Sequence, residues 1–91
     1  MLEVDLKPRA RKFIEILPPK HKRQVKDRIL ALLENPNPSD SKKLLGYENY
    51  LRADIGEYRI IYRYSKTQVT VVLIGKRNDD EVYRIAQRIL Q

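Results

Sequence analysis

The sequence predicts an α+β domain, and three observations carry that prediction. Residues 58–74 hold two β-rich runs around a short polar break, apolar residues recur at helical spacing before residue 35, and an amphipathic stretch closes the chain. Connections of hairpin length make the sheet mainly antiparallel, with the helices packed against one of its faces. At 91 residues there is room for one domain, 1–91.

Taken in order, Leu2-Glu3-Val4-Asp5-Leu6 alternates apolar and polar residues as a half-buried strand does. Lys7-Pro8 ends it, and Pro8 suits the first turn of a helix. Ala10, Phe13, Ile14 and Leu17 then form an apolar stripe, which Pro18-Pro19 stops. A second helix is predicted from Pro19 to Glu34, with Val25, Ile29, Leu32 and Leu33 turned inward. Residues Asn35 to Ser41 are dense in turn formers and divide a helical half from a β half. Residues 42–46 and 50–55 read as strands, and Gly56-Glu57 turns the chain into the central hairpin.

In that hairpin Tyr58-Arg59-Ile60-Ile61-Tyr62-Arg63-Tyr64 is followed by Ser65-Lys66-Thr67-Gln68 and then Val69 to Ile74. Alternation puts Tyr58, Ile60, Tyr62 and Tyr64 on one face and Arg59, Ile61 and Arg63 on the other. Gly75-Lys76-Arg77 leaves the sheet. A final helix from Asp79 to Leu90 is predicted, capped by Asn78 with Glu81 in the capping-box position. Antiparallel pairing brings Arg59 beside Arg77, with Tyr83 in the first turns of the helix close by.

Composition narrows the function. The chain has no cysteine, which removes disulfides and thiolate metal sites and fits a reducing compartment. Its start lacks a long apolar run and no segment approaches a membrane span, so a cytoplasmic protein without a signal peptide is the expectation. Nineteen Lys and Arg against twelve Asp and Glu give a net charge of +7, which points to a polyanionic partner, foremost nucleic acid. An acidic protein is the alternative partner.

There is no P-loop and no GxGxxG motif, and one histidine without cysteine supports neither a zinc site nor a Ser/His or Cys/His nucleophile. His21, among the charges that open the second helix, is weak ground for catalysis. The acidic residues form no evident two-metal cluster, so neither a metal nor a cofactor is expected. What remains is cationic: Lys42, Lys43, Arg52, Arg59, Arg63, Lys76 and Arg77, with tyrosines interleaved. Guanidinium forks grip phosphate oxygens and tyrosine rings stack on unpaired bases. RNA also carries its own nucleophile, the 2′-hydroxyl, so a protein need only align it and meet the charge on phosphorus. Arginine stays protonated and supplies charge; a tyrosine such as Tyr83 can donate a proton.

Each of these residues has a plainer reading. Tyr58, Tyr62 and Tyr64 fit core packing beside Ile60. Arg63 fits a solvated strand position, and Arg59 and Arg77 have Glu57, Asp79 and Asp80 as ion-pair partners. Lys22, Arg23 and Lys26 either touch nucleic-acid backbone or form the solvated face of their helix.

The elements Gly56-Glu57-Tyr58-Arg59-Ile60-Ile61-Tyr62, Gly75-Lys76-Arg77 and Glu81-Val82-Tyr83, in this order and spacing, resemble the RelE branch of the RelE/ParE toxin superfamily. Lys43-Leu44 with Gly46 and the closing Arg88-Ile89-Leu90 extend the resemblance over nearly the whole chain. It implies a compact microbial-ribonuclease-like fold and a type II toxin that cuts mRNA in the ribosomal A site by metal-free 2′-hydroxyl attack, with ribosomal RNA as a further contact. It also implies a cognate antitoxin, acidic and partly helical, through which alone operator DNA is bound. By the same resemblance Arg59 and Arg77 match the family's phosphate-stabilising arginines and Tyr83 its C-terminal tyrosine. Arg52 falls where well-studied members carry a lysine proposed as general base. Tyr50, Leu45 and Asp54 depart from basic positions in relatives, which leaves the base unassigned among Lys42, Lys43 and Lys76. Two alternatives stay open: a ParE-like toxin that inhibits DNA gyrase, and an inactive domain that binds its antitoxin and operator DNA.

Overall fold

Two glycines set the register of the sheet. Gly56 adopts φ +55° at the first position of the turn between β3 (Tyr47–Ile55) and β4 (Tyr58–Tyr64), and Gly46 adopts φ +88° between β2 (Lys42–Leu44) and β3. A side chain is strained at both values, so glycine permits turns of only two residues there. The Gly56-Glu57 turn pairs Ile55 with Tyr58 and Asp54 with Arg59, and the Leu45-Gly46 turn pairs Leu44 with Tyr47. β4 then turns back on β5 (Gln68–Lys76), where Ser65 Oγ accepts from the backbone N–H groups of Thr67 and Gln68.

The computed structural model describes residues 1–78 and 81–90. Its elements run β1 (Glu3–Leu6), α1 (Pro8–Glu15), α2 (Pro19–Glu34), β2, β3, β4, β5 and α3 (Glu81–Ile89). Pro8 and Pro19 both open helices at the first turn, where the missing N–H costs nothing. The predicted start of the last helix at Asp79 lies outside the described residues; Asn78 is in a turn, and the helix is described from Glu81.

Strand order is β1-β5-β4-β3-β2. Three neighbouring pairs are antiparallel, as hairpin connections require, but β1 lies parallel to β5 along Glu3–Leu6 and Gln68–Val71. The two helices between β1 and the hairpins provide the long crossover that a parallel pair needs.

The helices do not share one face. α1 and α2 cover one side of the sheet, where Ala10, Ile14, Val25, Ile29 and Leu32 meet Tyr58, Ile60, Tyr62, Val69 and Val71. α3 covers the other, where Val82 and Ala86 meet Leu44, Ile61, Val72 and Leu73. A bulge makes this division possible. Ile61 pairs with Leu73 and Tyr62 with Val71, so Val72 is the extra residue, and both Val72 and Leu73 join the α3 side. Ile74 then returns to the α1/α2 core. Tyr58 and Tyr62 are buried packing residues; Tyr64, at the strand end, is exposed.

Candidate active site

The site grows out of the pairing of β3 with β4. Leu51, Ala53 and Ile55 turn to the α1/α2 core, so Arg52 and Asp54 project on the α3 side, opposite Ile61 and Arg59. The directly opposed Asp54 and Arg59 form a bidentate ion pair: Nε donates to Oδ1 at 2.7 Å and Nη2 to Oδ2 at 3.1 Å. The third guanidinium nitrogen, Nη1, donates to the Tyr83 hydroxyl at 2.7 Å, and the guanidinium carbon lies 5.8 Å from the centre of the tyrosine ring. Arg59 is only 13% exposed in its side chain, whereas Asp54 keeps 34%.

Gly75 lets Tyr83 reach this position. It lies opposite Arg59 in the β4–β5 register, and a Cβ built on it would overlap Val82 Cγ2. Without a side chain at Gly75, the first turn of α3 settles directly on the strand. The next residue, Tyr83, extends to the guanidinium.

Arg77 follows at the same sheet end. Its backbone N–H donates to Glu57 O at 2.8 Å and its Nη1 to Gly56 O at 3.2 Å, tethering it to the β3–β4 turn. Asp54 is thereby surrounded by cations. The hydrogen bond from Arg59 first, with the charges of Arg59, Arg77 and Arg52, holds its carboxyl below the usual carboxylate range, against the opposing effect of burial. The same pairing raises Arg59 above its ordinary value.

Beside this cluster a cleft of about 560 Å³ opens between β2, β3 and α3, lined by Lys42, Lys43, Leu45, Arg52, Tyr83 and Gln87 among others. Lys42 and Arg52 stand directly opposite each other in the β2–β3 register. Like charges so placed destabilise a sheet, and neither has an ion pair among the described residues. An anion laid in the cleft removes that repulsion.

The fold thus gathers Arg52, Arg59, Arg77, Tyr83 and Lys42 on one side of the sheet, while Lys43 pairs with the core-facing Leu51 and meets the cleft from the edge strand β2. It does not gather the other candidates. Lys76 pairs with Tyr58, whose side chain faces the α1/α2 core, so it points away from Arg59. Lys22, Arg23 and Lys26 are on α2, across the sheet, where Lys22 and Lys26 flank a hollow with Leu6, Arg11 and Glu15. Arg63 lines a separate hollow with Lys7, Arg9, Tyr50 and Leu90. Glu57 is not the partner of Arg59; Asp54 is, and Asp79 and Asp80 lie outside the described residues.

Two residues take parts the sequence reading missed. Asp54 stood there only as a departure from a family pattern, although a two-residue turn at Gly56-Glu57 fixes it opposite Arg59. His21, among the charges that open α2, is part-buried and has partners: its Nδ1 lies 2.6 Å from the Tyr58 hydroxyl and its Nε2 3.7 Å from Glu57 Oε2, on the α2 side.

Comparison with known proteins agrees with this architecture. The chain matches the family model of the ParE toxin of the type II toxin–antitoxin system parDE over residues 4–81. No curated protein matches it by sequence. Among solved structures it is similar to an arginine double mutant of the Escherichia coli toxin RelE in the free state, with TM-score 0.77, 27% identity and 97% of each chain covered. The isolated E. coli RelE toxin gives TM-score 0.74 and 26% identity over 100% of both chains. The RelBE2 toxin–antitoxin complex of Mycobacterium tuberculosis gives TM-score 0.73 and 25% identity, over 84% of this chain and 98% of that one. No helix of the described residues is long and apolar enough to cross a membrane. The chain belongs to the ParE toxin family and is a toxin of a type II toxin–antitoxin system in the RelE/ParE superfamily.

Proposed function

We propose that this toxin is an endoribonuclease that cuts mRNA on the ribosome and is neutralised in the cytoplasm by a cognate antitoxin. The observation that carries the reading is the 2.7 Å hydrogen bond from Arg59 to the Tyr83 hydroxyl, at the rim of a cation-lined cleft. Because Tyr83 accepts from Arg59, its own hydroxyl hydrogen is free to be given to a leaving oxygen. Arg59, Arg77 and Arg52 supply fixed positive charge where a phosphorane develops negative charge, and they need no reorganisation to do so. Attack by the substrate's 2′-hydroxyl requires alignment more than a protein nucleophile. Lys42 and Lys43 extend the cationic track along the RNA backbone. The similarity to RelE structures solved with RelB antitoxin supports an antitoxin as the protein partner; operator DNA is engaged through that antitoxin alone.

A second reading has its own observation. The matching family model is that of ParE, and Asp54 already occupies one edge of Arg59, as suits a toxin that inhibits DNA gyrase by binding and cuts nothing. Primer-extension mapping of mRNA on translating ribosomes separates the two. The endoribonuclease gives discrete cuts that disappear in Arg77→Ala and weaken by about 10²-fold or more in Tyr83→Phe, the usual scale for losing a proton donor. Intact transcripts together with inhibited DNA supercoiling assign the toxin to gyrase.

A further inference from the structure

We propose that Asp54 is the general base of this toxin, taking the proton of the 2′-hydroxyl while Tyr83 gives one to the leaving oxygen from the opposite edge of Arg59. The inference rests on the endoribonuclease reading and completes it, since Arg52 is a poor proton acceptor.

The geometry is that of a bracketed guanidinium. Asp54 holds the Nε/Nη2 edge and Tyr83 holds Nη1. Of the five guanidinium N–H groups, these three bonds use three, which leaves one on each terminal nitrogen for phosphate oxygens. A displacement at phosphorus runs in line, with the attacking and departing oxygens on opposite sides. A phosphate seated on those two N–H groups therefore has a carboxylate on one flank and a phenol on the other. Each Asp54 oxygen accepts one bond from Arg59 and retains a lone pair, and the side chain keeps 34% of its exposure, so a hydroxyl can reach it. Asp54 is the one carboxylate among the described residues that touches Arg59.

The step balances. As the 2′-oxygen bonds to phosphorus, its proton passes to Asp54. The bond from phosphorus to the 5′-oxygen breaks, and that oxygen departs with the Tyr83 proton. The products are a 2′,3′-cyclic phosphate and a 5′-hydroxyl, and solvent returns the proton from Asp54 to the Tyr83 phenolate.

The charges around the carboxylate are Arg52 on its own strand, Arg59 on β4, Arg77 beyond β5 and the Tyr83 phenol on α3, with Lys42 opposite Arg52 on β2. The hydrogen bond from Arg59 holds the Asp54 carboxyl low, and a low value weakens a base. A bound phosphate works the other way: its negative charge raises the proton affinity of Asp54 as the substrate arrives.

The test is single-turnover cleavage of a defined mRNA on programmed ribosomes by wild type, Asp54→Asn and Asp54→Glu, from about pH 6 to about pH 8.5, above the carboxylate range and below that of lysine. The wild-type rate is expected to be flat with pH, because its base is already ionised. Asp54→Asn is expected to lose about 10²–10⁴-fold in rate at saturation and to rise about tenfold per pH unit as hydroxide takes over, while Asp54→Glu recovers part of the loss. A wild-type rate that itself rises tenfold per unit overturns the assignment in favour of a lysine, whatever the variants do. So does Asp54→Asn cutting as fast as wild type or faster, which makes Asp54 a competitor for the phosphate, or losing rate with a flat profile, which makes it a prop for Arg59. A wild type that cuts no mRNA overturns the endoribonuclease reading as well.

Discussion

Facing α1 and α2, the sheet presents a continuous apolar surface; facing α3, it presents a small apolar patch beside a cluster of charge. The first face buries Tyr58, Ile60, Tyr62, Val69 and Val71 under two helices. The second keeps Leu44, Ile61, Val72 and Leu73 under a single short helix and gives positions beside them to Lys42, Arg52, Asp54 and Arg59. Stability therefore resides mainly on one side of the sheet and chemistry on the other. Truncating Tyr62, which is fully buried and whose hydroxyl donates to Pro36 O at 2.7 Å, has the largest expected effect. Tyr62→Ala is expected to destabilise the fold by about 3–5 kcal/mol, the range for aromatic truncation in a core, measured by urea denaturation. Cleavage per folded molecule should stay at the wild-type level. A Tyr62→Ala protein that is stable but inactive breaks the division between the faces.

Gly75→Ala tests the other face. The added methyl overlaps Val82 Cγ2, so α3 must shift outward and carry Tyr83 from Arg59. Overpacking of this kind costs about 1–3 kcal/mol, and cleavage should fall further than stability does. Val82→Ala in the same chain makes room for the methyl, so the double variant is expected to regain both stability and cleavage relative to Gly75→Ala. Additive losses in the double variant mean that Gly75 acts through something other than its approach to Val82.

The two faces also differ in how much of them the sequence disclosed. Alternation within β4 separates Tyr58, Ile60 and Tyr62 from Arg59 and Ile61, and that separation is local, needing no knowledge of what covers either side. The helix over Pro19–Glu34 is equally legible, because its apolar stripe is bounded by proline and by Asn35. Non-local pairing is less so. Nothing in Glu3–Leu6 says that it lies parallel to β5, and one extra residue at Val72 reverses which side each later β5 residue takes. For that reason Lys76, sequence neighbour of Arg77, points to the opposite side of the sheet. Asp54 is the instructive case at the site. Its side and its partner both follow from alternation and from the turn at Gly56, but a carboxylate among cations reads as an anomaly until Tyr83 is seen on the far edge of Arg59.

The smallest expected effect sharpens the contrast from the side of stability. Asp54 titrates below the usual carboxylate range in the folded protein because Arg59 donates to it. A carboxyl depressed by folding contributes stability that is fully present above its unfolded value, near pH 4, and is lost as pH falls through the folded value. The pair is partly solvated, with Asp54 34% exposed, so its contribution is about 1 kcal/mol or less. Denaturation midpoints of wild type and Asp54→Asn, measured from neutral pH downward, are therefore expected to differ slightly at neutrality and to converge in acid. Should they remain several kcal/mol apart at neutral pH, Asp54 is a structural residue of the kind found under α1 and α2. Convergence with a small gap leaves the loss of cleavage in Asp54→Asn as a matter of chemistry, and places the carboxylate with Tyr83 on the α3 side.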